Sequence, residues 1–427
     1  MKMRMLKRSA LAGLGLLSTA LAGPVLAQDV VFLSTQLRPI EEAQKVRDVL
    51  LKGGPKTSFV TEEPAKLNLR VEAEMKGGAK SFSLIGALHG EIAALPMDAM
   101  DSVGDVMDKL KDRAIPAAIA DLGKMDGRQV YVPWMQATYV MAANKQALKY
   151  LPAGADVNAL TYEQLGAWAE AVRKGTGERK LGFPAGPTGL MPRFFQGYLY
   201  PSFTGGVVST FKSPEAEAMW ASFKALWANV NPASTSYNFM QDPLASGEVW
   251  IAFDHIARLK DALAAQPDNF VTFPAPAGPK GRGFMPVVAG LAIPKGAANR
   301  AGAMALIEHL TSPAIQLAHA REVGFFPVIN TALPTDMPPS TKLLASAIAT
   351  QAASKDALVS LLPIGLGPKG GEFNKVYIDT FQRIVIRNED IKTVLAAQAQ
   401  ALDAIMKETK APCWAPDKAS AGPCPVN

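Results

Sequence analysis

Short apolar strands that alternate with amphipathic helices are the feature of this sequence that most restricts its fold. The segment VVFLS at 30–34 is typical of a buried strand, and apolar residues follow at helical spacing from Ala43 to Leu50, before Gly53. SFSLIGAL at 81–88 is typical of a second buried strand. Alternation of this kind predicts an α/β fold with largely parallel sheets.

Several helix starts can be predicted from the residues that favour them. Thr161 and Gln164 form a capping-box pattern, in which each side chain bonds the backbone of the other residue. Ser-Pro pairs at 213–214 and 312–313 place a capping hydroxyl before a proline suited to the first helical position. The second of these helices is expected to end at Gly324.

The N-terminus has the pattern of a secretory signal peptide. Four basic residues precede an apolar run at 10–24 and a small-residue site at 25–27, so cleavage is expected before Gln28. No cysteine lies directly after that site, and no later run is apolar enough to span a membrane. We expect a soluble periplasmic protein without a lipid anchor.

Charge excludes one class of partner. The chain carries 44 basic and 38 acidic side chains, but four basic ones lie in the signal peptide, which leaves 40 against 38. This near-neutral balance and the absence of long charged runs argue against nucleic-acid binding.

The remaining 400 residues are enough for two domains, and cysteine is scarce. Cys413 and Cys424 lie in a proline-rich tail, where an exported protein is expected to form one disulfide; two free thiols are the alternative. We expect the tail to be weakly anchored, so that reduction of the bond changes the melting temperature little.

Enzyme signatures are absent. The sequence has no phosphate-binding loop, nucleophile elbow, zinc-protease motif or C-x-x-C pair. GALHG at 86–90 has a histidine instead of the elbow serine, and that histidine is one position late. The four histidines are scattered without metal-ligand spacing, and His309 and His319 fit surface or boundary positions of helices. We expect no metal, no cofactor and no catalysis.

Four segments resemble the extracellular solute-binding proteins of ABC importers, in the sugar-binding family that includes maltose-binding protein. They are DGRQVYVPWMQATYVMAANKQAL, SGEVWIAFDHIARLKDAL, the long segment from Phe273 to Gln316, and EVGFFPVINTAL. The resemblance implies a monomer that captures a mono- or oligosaccharide, or a derivative of one, and delivers it to membrane permease subunits.

The resemblance also implies a two-lobed periplasmic binding protein fold. Each lobe would be a mainly parallel sheet flanked by helices, and three hinge crossovers would connect the lobes. Lobe one is expected at 28–137 and 288–326, lobe two at 138–287 and 327–410, and a tail at 411–427. Ligand would bind between the lobes, where the carboxyl ends of strands converge.

Two stretches offer groups suited to a sugar, which needs aromatic plates and fixed polar partners. Trp134, Gln136 and Thr138 lie on one face of a predicted extended segment. MPRFFQGYLYPSF at 191–203 has the composition of a loop, and its aromatics beside Arg193 suggest a stacking wall. Packing in the core is an equal alternative for each aromatic residue.

GEVWIAFDHIARLKD at 247–261 predicts a strand followed by a helix, with Asp254 at the N-cap. Asp254 and Arg258 have the spacing of an ion pair, whereas adjacent Asp254 and His255 are poorly placed for a catalytic dyad. In the resembled fold this helix start faces the cleft. The complete predicted ligand-binding set is Gln36, Arg38, His89, Trp134, Gln136, Thr138, Arg193, Phe194, Tyr198, Asp254, His255, Arg258 and Gly290.

Other functions remain open at this point. The chain could be an exported α/β hydrolase or lyase using Asp254, His255 and a distant acid. It could be a sensor that signals to a membrane partner without transport. Arg38, Arg193 and Arg258 also leave room for an anionic or phosphorylated solute.

Overall fold

A computed structural model describes residues 29–36, 40–78, 80–125 and 127–427 of the chain. The predicted signal peptide and the predicted site residue Arg38 lie outside these ranges.

Thirteen strands are described in these ranges, and most belong to two sheets. The first sheet has the strand order β2-β1-β3-β12-β6 and the second has β10-β7-β9-β8, while β11 pairs with β13 and β4 with β5. The strands are β1 Val30–Ser34, β2 Thr57–Thr61, β3 Leu84–Leu88, β4 Lys124–Met125, β5 Arg128–Gln129, β6 Tyr131–Ala137, β7 Tyr139–Asn144, β8 Leu181–Gly182, β9 Ile251–His255, β10 Phe270–Phe273, β11 Arg282–Phe284, β12 Val287–Ala292 and β13 Ala357–Val359.

Helices flank these sheets. Four of them continue into a π-helical turn: α1 at 46–50, α7 at 195–199, α13 at 319–323 and α15 at 382–386. The helices are α1 Ile40–Lys45, α2 Pro64–Gly77, α3 His89–Ile92, α4 Gly104–Lys109, α5 Ala117–Ala120, α6 Tyr162–Thr176, α7 Met191–Phe194, α8 Tyr200–Thr204, α9 Pro214–Trp227, α10 Gln241–Ala245, α11 Ile256–Ala265, α12 Arg300–Leu310, α13 Pro313–Ala318, α14 Pro339–Ala352, α15 Gly370–Phe381 and α16 Ile391–Thr409.

The α/β class is as expected, but the sheets are mixed rather than largely parallel. In the first sheet β1 runs parallel to β2 and β3, whereas β12 is antiparallel to both β3 and β6. In the second sheet β7 is antiparallel to β9 and β10, and β8 is parallel to β9. Strands that leave one sheet for the other lack the helical crossover that makes neighbouring strands parallel.

The chain passes between the two sheets at short connections. Residues 131–137 pair in the first sheet and 139–144 in the second, with only Thr138 between them. Two residues also separate β12 of the first sheet from β11, which pairs with β13 outside both sheets. Phe326 pairs with Gln136 beside the first of these connections. The residue ranges assigned to two lobes stay a prediction.

Local signals predicted several helix starts correctly. The Thr161 side chain accepts the Gln164 N–H, and Gln164 completes the capping box of α6. Ser213 caps α9 in front of Pro214. The helix that starts at Pro313 ends at Gly324, which adopts a left-handed conformation with φ of 83°.

The stretch 191–203 is helical, so the loop predicted there is wrong. α7, a π-helical turn and α8 follow one another from Met191 to Thr204. Pro201 lacks an N–H and its ring crowds the carbonyl four residues earlier, and the wider π-helical turn before it provides room. Its aromatics therefore sit on a buried helix and not on an exposed wall.

The C-terminal tail contains the predicted disulfide, Cys413–Cys424. It is not weakly anchored, however: Trp414 is buried, and Asp417, which is 6% exposed, accepts hydrogen bonds from residues 207–209. The expectation of a weakly anchored tail is wrong, because composition does not reveal such long-range contacts, and the small effect of reduction on the melting temperature stays a prediction.

Candidate ligand-binding cleft

A cavity of about 540 Å³ lies where the carboxyl ends of β1 and β3 meet elements from the other half of the molecule. One wall comes from α2 and from the junction of β3 with α3. The opposite wall comes from α7, from residues 361–368, which we call the wall loop, and from the start of α15. We refer to this space as the cleft cavity.

Glu91 is the fixed acceptor of the first wall. The Thr35 hydroxyl donates to Glu91 Oε2 at 2.6 Å, and the Leu88 N–H donates to the same oxygen at 2.9 Å. Both donors follow or end a parallel strand, which explains why they meet at this edge of the sheet. The other oxygen, Oε1, makes no described hydrogen bond, and Glu91 lines the cavity.

Burial raises the pKa of Glu91, because a desolvated carboxylate is disfavoured relative to the neutral acid. The hydrogen bonds from Thr35 and Leu88 and the positive charge of Arg193 act in the opposite direction. Glu91 and Arg193 belong to opposite walls. The two walls are therefore electrostatically coupled across the cleft.

Arg193 is held in the second wall by a chain of side chains. Its Nη1 donates to Gln196 Oε1 at 3.1 Å, and Gln196 Nε2 donates to Asn374 Oδ1 at 2.9 Å. The remaining guanidinium nitrogens of Arg193 make no described hydrogen bond, and both Arg193 and Asn374 line the cavity. The wall thus presents a guanidinium and an amide with restricted orientations.

The two walls touch at Gly90. A Cβ atom built on Gly90 would lie 2.4 Å from the carbonyl oxygen of Pro363, which belongs to the wall loop. Only a residue without a side chain allows this approach. The contact sets the separation of the walls at one edge of the cavity.

The described lining is polar and apolar but contains no aromatic ring. Its charged members are Glu63, Glu72, Glu91 and Arg193, and its apolar members include Leu69, Leu88, Leu362 and Leu366. Carboxylates, a guanidinium and amides suit hydroxyl groups, and the leucines suit C–H surfaces. The predicted aromatic stacking wall does not form part of it.

Among the predicted site residues within the described ranges, Arg193 lines the cleft cavity. Gln36 is buried next to Thr35, with Nε2 3.5 Å from the Thr35 hydroxyl. His89 begins α3, and its Nδ1 lies 2.9 Å from the Tyr131 hydroxyl. Burial lowers the pKa of His89 to about 4, so this ring is neutral at pH 7. Ligand contact by Gln36, Arg38 and His89 stays a prediction.

Trp134 and Phe194 are core residues in this structure, and ligand contact by either stays a prediction. Trp134 has no exposed surface; its ring packs against Phe32, and its indole N–H donates to His319 Nε2 at 2.9 Å. Phe194 is equally buried, against Phe183 and other rings. His319, predicted at a surface or boundary position of a helix, is also buried, and its Nε2 accepts the hydrogen bond from Trp134.

Thr138, Tyr198 and Gln136 bond residues beside the connections between the sheets, and Gly290 packs within the first sheet. Thr138 donates to the Met285 carbonyl at 2.9 Å and lies 3.0 Å from the Tyr198 hydroxyl, and both side chains are buried. Gln136 Nε2 donates to the Pro327 carbonyl at 2.6 Å. A Cβ on Gly290 would lie 2.2 Å from the Tyr131 ring. These contacts show packing roles for the four residues, and their ligand contacts stay a prediction.

The segment 254–258 also differs from its prediction. His255, not Asp254, is the N-cap of α11, and its Nδ1 accepts the Ala257 N–H at 3.3 Å. Asp254 is fully buried and accepts the N–H groups of Met240 and His255. These bonds fix the strand end, and direct ligand contact by either side chain has no support in this geometry.

Electrostatics reinforce this structural role. Burial raises the pKa of Asp254 to about 6 and lowers the pKa of His255 to about 3. Arg258 donates from Nη1 to the Asn238 carbonyl at 3.0 Å, and its guanidinium lies 4.3 Å from the centroid of the Phe239 ring. The predicted ion pair with Asp254 is not among the described salt bridges. Ligand contact by Arg258 stays a prediction.

Sequence reasoning missed Glu91 and Asn374. A signal existed for Glu91, because GALHGEI places an acid on the first helical turn after a buried strand, at the carboxyl end where crevices form. Asn374 carries no local signal, since its place opposite Glu91 depends on tertiary packing.

Two further searches of the described ranges bound the chemistry. No group of three or more His, Cys, Asp or Glu side chains there is arranged to hold a metal ion. No helix in the same ranges is long and apolar enough to cross a membrane.

Comparison with known proteins identifies relatives by sequence profile and by fold. A profile described as bacterial extracellular solute-binding protein matches residues 54–346. A search of curated protein sequences finds no match. The solved structures that resemble this chain include maltose-bound MalE3 of T. maritima, with a TM-score of 0.71, 17% identity and coverage of 88% of this chain and 99% of that chain.

Two others are the GacH receptor of Streptomyces glaucescens and UgpB of Mycobacterium tuberculosis. GacH has a TM-score of 0.70, 17% identity and coverage of 90% of this chain and 99% of that chain. UgpB, in complex with glycerophosphocholine, has a TM-score of 0.69, 15% identity and the same coverage values. At these identities the likeness concerns the fold, and it confirms the predicted two-lobed periplasmic binding protein architecture.

Proposed function

Because the chain belongs to the bacterial extracellular solute-binding protein family, we propose that it captures a carbohydrate in the cleft cavity and delivers it to the permease subunits of an ABC importer. The observation that carries the proposal is the placement of Glu91 and Arg193 on opposite walls of one cavity. A solute that bonds both groups would draw the walls together. Closure of this kind is the usual way in which two-lobed binding proteins retain a ligand.

A neutral carbohydrate fits the lining better than an anionic solute. Three acidic side chains and one guanidinium line the described part of the cavity, and carboxyl oxygens are acceptors suited to the hydroxyl groups of a sugar. Two of the structures similar to this chain are described with maltose or acarbose bound. The glycerophosphocholine of UgpB keeps a phosphorylated polyol as the second candidate, which Arg193 favours.

The lining also bears on how the sugar is recognised. Without an aromatic plate among the described lining residues, the sugar would be held mainly through its hydroxyl groups. Hydrogen bonds to charged groups contribute about 1.5–3 kcal/mol each, which makes Glu91 and Arg193 the expected energetic centre.

Binding without catalysis is part of the proposal. A hydrolase built on Asp254 and His255 is disfavoured, because both are buried and their polar atoms bond backbone N–H groups. The extracellular family fits release into the periplasm after removal of the N-terminal signal. A sensor without transport is distinguished by growth of a deletion strain on the identified solute.

The test begins with the solute that copurifies with the protein, which is released by denaturation and identified by mass spectrometry. Calorimetry then compares wild type with Glu91→Gln. Glutamine keeps one oxygen for Thr35 and Leu88 but replaces Oε1 with a donor. We expect the dissociation constant to rise at least about tenfold, or roughly 1.4 kcal/mol.

Glu163→Gln is the control, because Glu163 is an exposed carboxylate on α6. It should leave the dissociation constant unchanged. Equal affinities of wild type and Glu91→Gln would remove Glu91 from the site. Conversion of the solute into a product during incubation would instead support an enzyme.

A further inference from the structure

The C-terminal segment 411–427 is closed on itself and packs beside the cleft. The disulfide joins Cys413 and Cys424, and the Cys424 N–H donates to the Ala411 carbonyl at 2.9 Å. The Cys413 N–H donates to the Ser420 hydroxyl at 2.9 Å. These bonds give a segment without helix or strand a defined shape.

This segment contacts the second wall of the cleft at several points. The Leu361 N–H, at the start of the wall loop, donates to the Ala415 carbonyl at 3.0 Å. A Cβ on Gly365, in the middle of the loop, would lie 3.3 Å from Ala411. The rings of Trp414 and Phe373 pack edge to face with centroids 5.5 Å apart. Phe373 belongs to α15 and adjoins Asn374, which lines the cavity.

Asp417 anchors the segment to the body of the protein. Its Oδ2 accepts the N–H groups of Val207 and Val208 at 2.9 and 3.0 Å, and its Oδ1 accepts the Ser209 N–H at 2.9 Å and the Ser209 hydroxyl. The Tyr377 hydroxyl of α15 donates to the Val207 carbonyl at 3.1 Å. Residues 207–209, α15 and the C-terminal segment therefore form one hydrogen-bonded unit.

The wall loop depends on such external contacts. It lies outside any strand, and Gly365 and Gly367 adopt positive φ values of 72° and 50°. Pro363 and Pro368 restrict the backbone of the loop at two positions, whereas its two glycines have more backbone conformations available than other residues do. Contacts from outside the loop must then restrict its position.

We propose that the disulfide-closed segment 411–427 is a positioning element of the binding site, which holds the wall loop and the start of α15 in place through Ala415, Trp414 and Asp417. This rests on the proposed function only in taking the cleft cavity as the place where the solute binds. Loss of the disulfide or of the Asp417 anchor then loosens the second wall while the first sheet stays intact.

Hydrogen–deuterium exchange of the ligand-free protein tests this without knowledge of the solute. The proteins compared are wild type, Cys413→Ala/Cys424→Ala and Asp417→Asn, together with native wild type treated with a phosphine reductant in case the cysteine variant does not fold. We expect peptides covering 361–374 to exchange at least tenfold faster in the altered proteins. Peptides covering β1 and β3 should keep the wild-type rate.

Lys418→Ala is the matched control, since Lys418 is an exposed neighbour of Asp417 with no described contact. Trp414→Phe should stay within threefold of the wild-type rate at 361–374, whereas Trp414→Ala should exceed tenfold. Rescue by the smaller ring separates wall positioning from a general loss of stability.

Unchanged exchange at 361–374 in the reduced protein and in Asp417→Asn would overturn the proposal. An equal increase in every peptide would also overturn it, because the segment would then affect only global stability. Failure to bind any solute contradicts the proposed function and leaves this measurement unaffected. For the copurified solute, a folded Asp417→Asn protein should show at least a fivefold higher dissociation constant.

Discussion

Substitution of Gly90 by alanine tests whether the two walls must approach as closely as the structure shows. The added Cβ would lie 2.4 Å from the Pro363 carbonyl oxygen, whereas real Cβ contacts stay above 3.0 Å. The walls must separate by at least ~0.6 Å at this point, because the obstructing atom is backbone. Once the walls have separated, the first wall can accommodate the added methyl group.

The expected effect is therefore on binding and not on folding. Overpacking in a close contact costs about 1–3 kcal/mol. We expect the Gly90 contact to belong to the closed, ligand-bound arrangement, so the cost should fall on that arrangement. A coupling of that size corresponds to an increase of roughly 5–150-fold in the dissociation constant. In the ligand-free protein, alanine in a helix is more favourable than glycine by about 0.5–1 kcal/mol, so the melting temperature should not fall.

Calorimetry with the copurified solute and thermal melting of the ligand-free protein measure the two effects. Gly166→Ala in α6 is the control, because an added Cβ meets nothing within 4 Å there and Gly166 lies outside the cavity lining. It should retain wild-type affinity within about twofold, roughly 0.4 kcal/mol. Wild-type affinity in Gly90→Ala would refute the claim that this contact belongs to the ligand-bound form.

Two other predictions concern stability. Trp134→Phe should lower the free energy of unfolding by about 2–4 kcal/mol in urea titrations, because it removes ring volume and the donor to buried His319; no change would contradict the core assignment. Burial raises the pKa of Glu42 to about 8, against the effect of Arg258 and Lys45. Its contribution to stability is therefore complete below about pH 4.5 and is lost as the pH rises through 8. Between pH 5 and 8 the free energy of unfolding of Glu42→Gln should rise relative to that of wild type, by up to about 4 kcal/mol. Parallel pH profiles of the two proteins would contradict this.

Features encoded in short stretches could be predicted from the sequence. The strand at 30–34, the capping box at Thr161 and the Ser213–Pro214 helix start depend on neighbouring residues, and the structure contains all three. The disulfide follows from an oxidising compartment and a single pair of cysteines. The mixed sheets could not be predicted in this way, because strand direction depends on where each connection passes between sheets.

The predicted site residues and the lining of the cleft cavity overlap little for a physical reason. Aromatic residues suit both sugar faces and protein cores, and composition does not distinguish the two uses. In 191–203 the rings of Phe194 and Tyr198 point into the core, and only Arg193 reaches the cavity. A polar residue at a strand end is a better signal of a binding site. Burial of a polar group without a partner is costly, so such a residue either forms a local hydrogen bond or faces solvent. Glu91 forms local hydrogen bonds through Oε2 and also lines the cavity.

The hydrogen bonds within each wall account for how a solute could close the cleft. The protein uses Oε2 of Glu91 to fix that side chain to Thr35 and Leu88, and Nη1 of Arg193 to fix that side chain to Gln196. Each group is oriented by its own wall before any solute arrives, so little side-chain entropy remains to be lost on binding. The atoms without described bonds belong to opposite walls, and a solute with hydroxyls at both ends can engage them together. Binding energy from both walls then becomes available only in the closed arrangement, which makes closure a consequence of binding rather than a separate event.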